Sequence, residues 1–512
     1  MVQTFLKLRN FKANRSVTPL DIPATLVREF AVELANPLCT IVNISLQSGR
    51  SPTQWKDSFV TGIPKIPSPQ SLGDLRPLSI TIMASLLCES FVAEWIYEDI
   101  AHLIDPRQYG NVRGSSTAHG LLDFLDFTYK ELEKRKTSVT ATFIDFKKAF
   151  DLVDHTTVIK KCIAMGVREC IIPWIADFLT QRRQAVRLNG SLSDFLPITC
   201  GVPQGTKLGP LLFLILINDA LNDAPHRMKY VDDCTIANSF DNDNPDHSPS
   251  QSALESLHEW TVVNSTQVNP NKTVTMLFTV AKKNPPPPPA LTLNNHILST
   301  VTSFKLLGVT IQKDLRWDIH VSNVVKSASF RLYMLRRLRS LGLPPIELVN
   351  LYKTFILPKL TYCAPVWSPG LFKYQKRLLE RVQKRALKIA LGPSYTTYDQ
   401  ALAGHNLLPL AIDDSNPNPS PNLPESTNYT QILRKFGEKL LTHPNHRHFL
   451  PPPLPPPRYP TSHHNILRAV RPHSTKTLTD RFIYSPIPSI VRLINKEMIQ
   501  PRNEGNEGNQ RD

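Results

Sequence analysis

Three aspartates carry the chemistry this sequence is best equipped to do. Asp145 closes the apolar, β-branched run Val139–Phe146 (VTATFIDF), where an uncompensated carboxylate would be costly to bury. Asp232 and Asp233 stand side by side in KYVDDCTI, flanked by residues of strand character, and repel one another unless a cation lies between them. Each segment alone has an ordinary reading: Asp145 can pair with Lys147 or Lys148, and Asp-Asp is a common solvated turn. Together they say more. Hard divalent cations such as magnesium take oxygen ligands and accompany phosphate. Two such ions about 4 Å apart activate a hydroxyl and stabilise a departing pyrophosphate. One strand-borne and two hairpin-borne carboxylates are the minimum set for that chemistry, provided that they converge in space.

The elements that must position them can be read around the acids. Val139–Phe146 reads as a strand, Lys147–Ile163 as a helix, and Met228–Ile236 as two short strands meeting at the Asp-Asp turn. Gly201–Pro210 (GVPQGTKLGP) is a glycine-rich loop feeding the apolar helix Leu208–Leu221. Glycines there let backbone approach a base or phosphate closely, and Gln204 offers an amide donor and acceptor; an ordinary loop before a core helix has the same look. The class is α/β or α+β, with at least one buried sheet.

Size and charge agree with a large nucleic-acid partner without requiring one. The 512 residues carry a net charge of +16, and Val321–Gln400 holds fourteen Lys or Arg against Glu347, Glu380 and Asp399. That stretch also has helical apolar spacing, so it suits either a face that tracks a phosphate backbone or a plain solvated surface. The longest apolar run, Leu211–Ile217, is far too short to span a bilayer, and the N-terminus has no signal-peptide pattern. Seven scattered cysteines suggest neither a zinc knuckle nor a disulfide framework, and an intracellular setting, nuclear or cytoplasmic, is expected. Prolines cluster at Pro285–Pro289 and Pro451–Pro457, which read as extended spacers. The segment from about Asp413 onward, rich in Pro, Asn, Ser and His, is expected to be largely disordered, with one apolar-periodic patch, Ile490–Ile499, that reads as a docking helix.

The ordered set FIDFKKAFDLVDH, GVPQGTKLGPLLF, KYVDD, Val268–Thr273 (VNPNKT) and Lys305–Thr310 (KLLGVT) resembles reverse transcriptases of non-LTR, LINE-type retrotransposons, the jockey and CR1 groups above all. Trp55-Lys56, Ile63–Lys65 and Leu75–Ser79 look like its fingers segments, and the similarity covers roughly residues 19–411. The resemblance implies an α+β right-hand polymerase. Its parts would be fingers and the start of the palm over 1–137, palm over 138–280, a Pro-rich linker over 281–290, a primer-grip region over 291–316, a basic helical thumb over 317–411, and a Pro-rich tail over 412–512.

Roles follow from the same resemblance. Asp145, Asp232 and Asp233 would be catalytic and hold two Mg2+ ions, or Mn2+. Lys65 and Arg76 would meet the triphosphate, Gln204 and Gly205 the template and nucleotide, and Lys272 the pyrophosphate as it departs. Phe150, five residues after Asp145, would lie under the sugar and exclude a 2′-hydroxyl; core packing is its bland alternative. Leu307 and Gly308 would grip the primer, and Arg336 and Arg337 would lie along the duplex. The implied partners are an RNA template, a DNA primer or target and deoxynucleoside triphosphates, with no membrane and no endonuclease domain. Departures from the family are Thr206-Lys207 for the commoner Ser-Val, Leu86 where a lysine often precedes the Glu89 position, and Leu20-Asp21 in place of Gly-Pro-Asp-Gly. The chain also begins at the edge of the fingers, as a truncated element would. A non-catalytic nucleic-acid-binding remnant is therefore the alternative expectation.

Overall fold

The computed structural model describes residues 1–12, 18, 21–188, 190–281, 285–411, 427–451 and 480–499. At its centre is a five-stranded sheet in the order Ser299–Thr300, Val274–Phe278, Thr137–Ile144, Asp233–Asp241, His226–Tyr230. The middle strand, Thr137–Ile144, is antiparallel to both neighbours. Its alternation sorts side chains between two cores. Val139, Ala141 and Phe143 join one hydrophobic cluster with the helix Thr117–Leu132, while Ile144 and Phe146 join another with the helix Leu208–Ile217. Both faces of the sheet are therefore covered, and the mixed α+β class is as expected.

A second sheet, Leu75–Ile80, Asp57–Pro64, Arg182–Leu188 and Ser191–Leu192, forms the fingers with the helices Ala31–Ser48 and Met83–Ile100, and it is the helices that contribute to the second core. On the other side a small hairpin, Ser303–Leu306 and Val309–Gln312, leads into the long helix Asp318–Ser340, which packs on Lys373–Leu391. These thumb helices share the first core with the palm helix Thr117–Leu132. Fingers, palm and thumb are thus arranged as in a right hand.

The helix Leu208–Ile217 is buried on every side, so its two ends pose the problem. Orphan amides and carbonyls in an apolar interior must find partners. At the N-terminus the buried carboxylate of Glu89 accepts from the amides of Lys207 (2.7 Å) and Leu208 (3.3 Å). At the C-terminus the buried ammonium of Lys229 donates to the carbonyls of Asn218 (2.7 Å), Ala220 (3.0 Å) and Ile217 (3.3 Å), and it pairs with Asp105 at 2.7 Å. An anion at one end and a cation at the other also match the helix dipole.

Three expectations are corrected. The helix read over Lys147–Ile163 begins only at His155, because Asp154 caps it by accepting from the Thr157 amide at 2.7 Å. Lys147–Leu152 is instead a turn. The tract Pro285–Pro289 is not a free spacer: Pro286 and Pro289, one polyproline turn apart, are buried. Within the supposedly disordered C-terminal part, the described residues include the helices Asn428–Thr442 and Pro486–Ile499. The second contains the patch read from sequence, and its Ile490, Val491 and Ile494 are buried. Most of Pro451–Pro457, and Leu20, lie outside the described residues.

The helix Asn428–Thr442 joins thumb to palm. Its Tyr429 hydroxyl donates to the Leu360 carbonyl at 2.9 Å, and the ring packs edge-on against Trp367 at 5.4 Å. Farther along, Phe436 lies 4.8 Å from the ring of His119 on the palm helix, and His446 stacks on that same ring at 4.0 Å. Gly437 allows close docking of the last helix, since a Cβ there would stand 2.9 Å from Ile490 Cγ2.

Candidate active site

Sheet register brings the three aspartates to one end of the palm. Ile144 pairs with Cys234 across the central strands, so Asp145 follows the last pair just where Asp233 precedes it. Tyr230 pairs with Asp233, which makes Val231-Asp232 a two-residue hairpin loop. Val231 takes φ +60°, a left-handed conformation that β-branched residues resist. The strain is held from outside the hairpin. Gln108 Oε1 accepts from the Val231 amide at 3.0 Å and the Gly110 amide at 2.9 Å, and the Tyr109 amide donates to the Lys229 carbonyl at 2.8 Å. Gly110 is required at this contact, because a Cβ there would lie 2.5 Å from Val231 Cγ2 and 2.6 Å from its nitrogen.

The carboxylates feel one another. Burial first, then Asp232 and Asp145, push the Asp233 carboxyl up to about 6, against the pull of Arg76. Asp232 is raised as well, by burial and by Asp145. Asp233 is reachable from solvent although its surroundings desolvate it. Such a cluster favours a cation, and the donor set, oxygen only, suits a hard divalent ion. The oxygens are not yet gathered: among the described residues no three Asp, Glu, His or Cys side chains stand as a formed metal cage. Convergence, expected from the sequence, is thus met by the strands but not by the side-chain oxygens. One reason is plain. Asp145 Oδ2 accepts from Asn269 Nδ2 at 3.1 Å.

That bond belongs to a latch. The Asn269 amide donates to the Asp145 carbonyl at 2.7 Å, and the Asp145 amide donates to Thr273 Oγ1 at 3.2 Å. Thr273 Oγ1 in turn donates to the Asn269 carbonyl at 2.9 Å. The segment 267–273 therefore fixes the strand end. Lys272 lies in it, exposed.

The glycine-rich loop is zipped to the turn after Asp145. The amides of Gly201 and Val202 each donate at 2.8 Å, to the carbonyls of Val153 and Phe150, and Gln204 Nε2 donates to Asp151 Oδ1 at 3.0 Å. Gly205 takes φ +115°, and a Cβ there would be 2.4 Å from the Ser79 carbonyl oxygen. The Ser79 amide meanwhile donates to the Gln204 carbonyl at 2.6 Å, so this loop and the fingers strand are backbone-to-backbone. Phe150 is half-buried with its ring stacked on Phe213 at 4.6 Å, which gives the packing reading a share of this side chain.

Of the fingers cations, Arg76 is exposed and close enough to Asp232 and Asp233 to lower both carboxyls. Lys65 is exposed too, but its ammonium donates to the Gly73 carbonyl at 3.0 Å, away from the acids. Leu307 and Gly308, at φ +46° and +87°, form the turn of the small hairpin. The Tyr362 hydroxyl donates to the Leu307 carbonyl at 2.9 Å and to Thr117 at 3.2 Å, while Phe304 stacks on Phe143 at 4.3 Å; the turn is thereby tied to the palm. Arg336 and Arg337 are exposed on the helix Asp318–Ser340, with no described link to the carboxylates. Reading by residue type missed Gln108, Gly110, Asp151, Asn269 and Thr273. Only the last three lay in motifs already singled out.

Residues 63–311 match the family Reverse transcriptase (RNA-dependent DNA polymerase). The RNA-directed DNA polymerase from mobile element jockey of Drosophila melanogaster is 23% identical over 376 residues, 70% of this chain and 40% of that protein. The probable RNA-directed DNA polymerase from transposon BS of the same fly is 28% identical over 317 residues, 58% of this chain and 34% of that protein. A Pol polyprotein from the type-1 retrotransposable element R2 of Popillia japonica is 28% identical over 181 residues, 35% of this chain and 25% of that protein. The chain spans well under half the length of these relatives. Among the described residues no helix is long and apolar enough to cross a membrane.

Proposed function

The chain carries a reverse-transcriptase domain of the non-LTR retrotransposon kind, and from that premise we propose that it extends a DNA 3′ end on an RNA template by two-metal phosphoryl transfer. Polymerases of this class depend on divalent metal, and magnesium is the species proposed here. When bound, the ions supply hydroxyl activation and charge neutralisation at the reacting phosphate.

The chain's own residues do the rest, chiefly by positioning. Asp145, Asp232 and Asp233 would hold the ions at the end of the central strands. Arg76, already beside the hairpin acids, would meet the triphosphate, with Lys65 swinging from the Gly73 carbonyl to join it. Gly205, whose lack of a side chain lets the loop backbone meet the Ser79 carbonyl, would line the template and nucleotide pocket, with Gln204 fixed beside it by Asp151. Phe150, braced by Phe213, would present a ring edge to the sugar and exclude a 2′-hydroxyl. Lys272 would neutralise the leaving pyrophosphate. Leu307 and Gly308 would seat the primer end, and Arg336 and Arg337 would follow the duplex away from it.

The observation that carries this reading is the shared strand end. Asp145 meets the hairpin acids there from a distant segment, and burial together with its negative charge raises the proton affinity of Asp232 and Asp233, as a site for cations would. The test is magnesium-dependent incorporation of deoxynucleotides on a primed RNA, abolished by Asp232→Asn. Folded wild-type protein that incorporates nothing with either magnesium or manganese would overturn it.

A further inference from the structure

The long thumb helix Asp318–Ser340 buries one face and leaves the opposite face unpartnered by the core. Val321, Ala328, Leu332 and Leu335 are buried. Phe330 and Tyr333, at helical spacing on the other side, are 73% and 53% exposed. Lys326 and Arg337 lie on the same stripe, at i−4 from Phe330 and i+4 from Tyr333. Met334 flanks the stripe and is also exposed.

A second element carries one more exposed ring beside the same helix. Tyr352–Ile356 is a π-helical turn, an insertion often found where a helix re-aims a side chain for use. Tyr352 and Ile356 are buried and Phe355 between them is exposed. The Arg331 guanidinium lies over the Phe355 ring at 4.4 Å and donates to its carbonyl at 3.0 Å, which holds Phe355 beside the long helix. Exposed aromatic rings of this number are expensive to leave in water and ask for an occupant.

Charge selects the occupant. From Ile319 to Ile346 there is no acidic residue, while Lys326, Arg331, Arg336, Arg337 and Arg339 are all cationic. Aromatic faces interleaved with cations are the chemistry that stacks unpaired bases while neutralising their phosphates. A duplex offers phosphates but no open base faces. We propose that Phe330 and Tyr333, with Lys326 and Arg337 on the same stripe, form a stacking surface for unpaired RNA on the thumb. The proposal does not rest on catalysis, because it needs neither the carboxylates nor nucleotide.

The test measures binding of the full chain to an unstructured 20-nucleotide RNA and to a blunt RNA–DNA duplex, by fluorescence anisotropy without metal or nucleotide. Phe330→Ala and Tyr333→Ala should each weaken binding to the unpaired RNA about tenfold and leave the duplex nearly untouched. Phe330→Trp should restore it. The aromatic variants should not change the slope of affinity against salt, because no phosphate contact is lost, whereas Arg337→Ala should reduce it by about one. Both aromatic side chains are exposed, so the thermal midpoint serves as the control for folding. Unchanged affinity for unpaired RNA, or an equal loss on both probes, would overturn the proposal. So would loss of binding to vesicles of anionic phospholipid, or loss of self-association, in variants whose RNA affinity is intact.

Discussion

Gln108 and Val231, far apart along the chain, are joined by a 3.0 Å hydrogen bond from the Val231 amide to the Gln108 side-chain oxygen. A residue outside the hairpin thus holds the strained turn that presents Asp232. Gln108→Leu leaves that amide and the Gly110 amide without their acceptor. The cost should be about 1–3 kcal/mol of stability, read from denaturant unfolding. Activity should fall further than stability does, because the turn carries a carboxylate. Gly110→Ala, whose methyl would overlap the turn itself, should be the more severe.

Asn269 is predicted to position Asp145 without touching substrate. Asn269→Ala should retain the fold and lower the rate of single-nucleotide addition about tenfold, with the magnesium concentration needed for half-maximal rate rising. Asn269→Asp places a further negative charge against Asp145 Oδ2 and should be worse than alanine. Equal activity in all three proteins would remove Asn269 from the site.

Metal binding should depend on pH through Asp233. Its carboxyl stands at about 6 in the folded chain, against 3.8 for the free group. A raised acid pKa penalises the folded state once pH exceeds the unfolded value, and the penalty is complete above about 6. Asp233→Asn should therefore stabilise the metal-free protein at pH 7.5, by on the order of 1 kcal/mol once solvent screening is allowed for. The gain should vanish only below about pH 3, where both states hold the proton. In the wild type, apparent magnesium affinity should drop as pH falls through about 6, measured by titration calorimetry with proton release followed in two buffers.

Lys229 is the buried cation at the end of the core helix. Lys229→Met strips three carbonyls and Asp105 of their partner, and should destabilise the chain by about 3–5 kcal/mol. Thermal unfolding followed by far-UV circular dichroism would register it. A variant as stable as wild type would mean that Arg227, which also binds Asp105, compensates alone.

Much of the palm was legible because strand periodicity and paired acids are local signals. VTATFIDF and KYVDDCTI each declare a strand and a carboxylate without reference to anything distant. The Lys147–Leu152 turn was not legible, since its apolar spacing mimics a helix and the true helix start is set by a capping bond to Asp154. Gln108 and Gly110 were invisible for another reason: their role exists only across the chain, in a contact with Val231. The helix Asn428–Thr442 was hidden by its neighbours' composition, although its own residues are amphipathic enough to cross from Trp367 to His119. Burial of Pro286 and Pro289 shows that the same composition can pack when a groove takes every third ring.

Tyr429 on Trp367 and Phe436 on His119 have a mechanical result. With one continuous apolar cluster running from the palm helix through the thumb, a hinge between the two would have to tear that cluster open. They turn as one block. A template and its growing partner strand must therefore be admitted without parting the thumb from the palm.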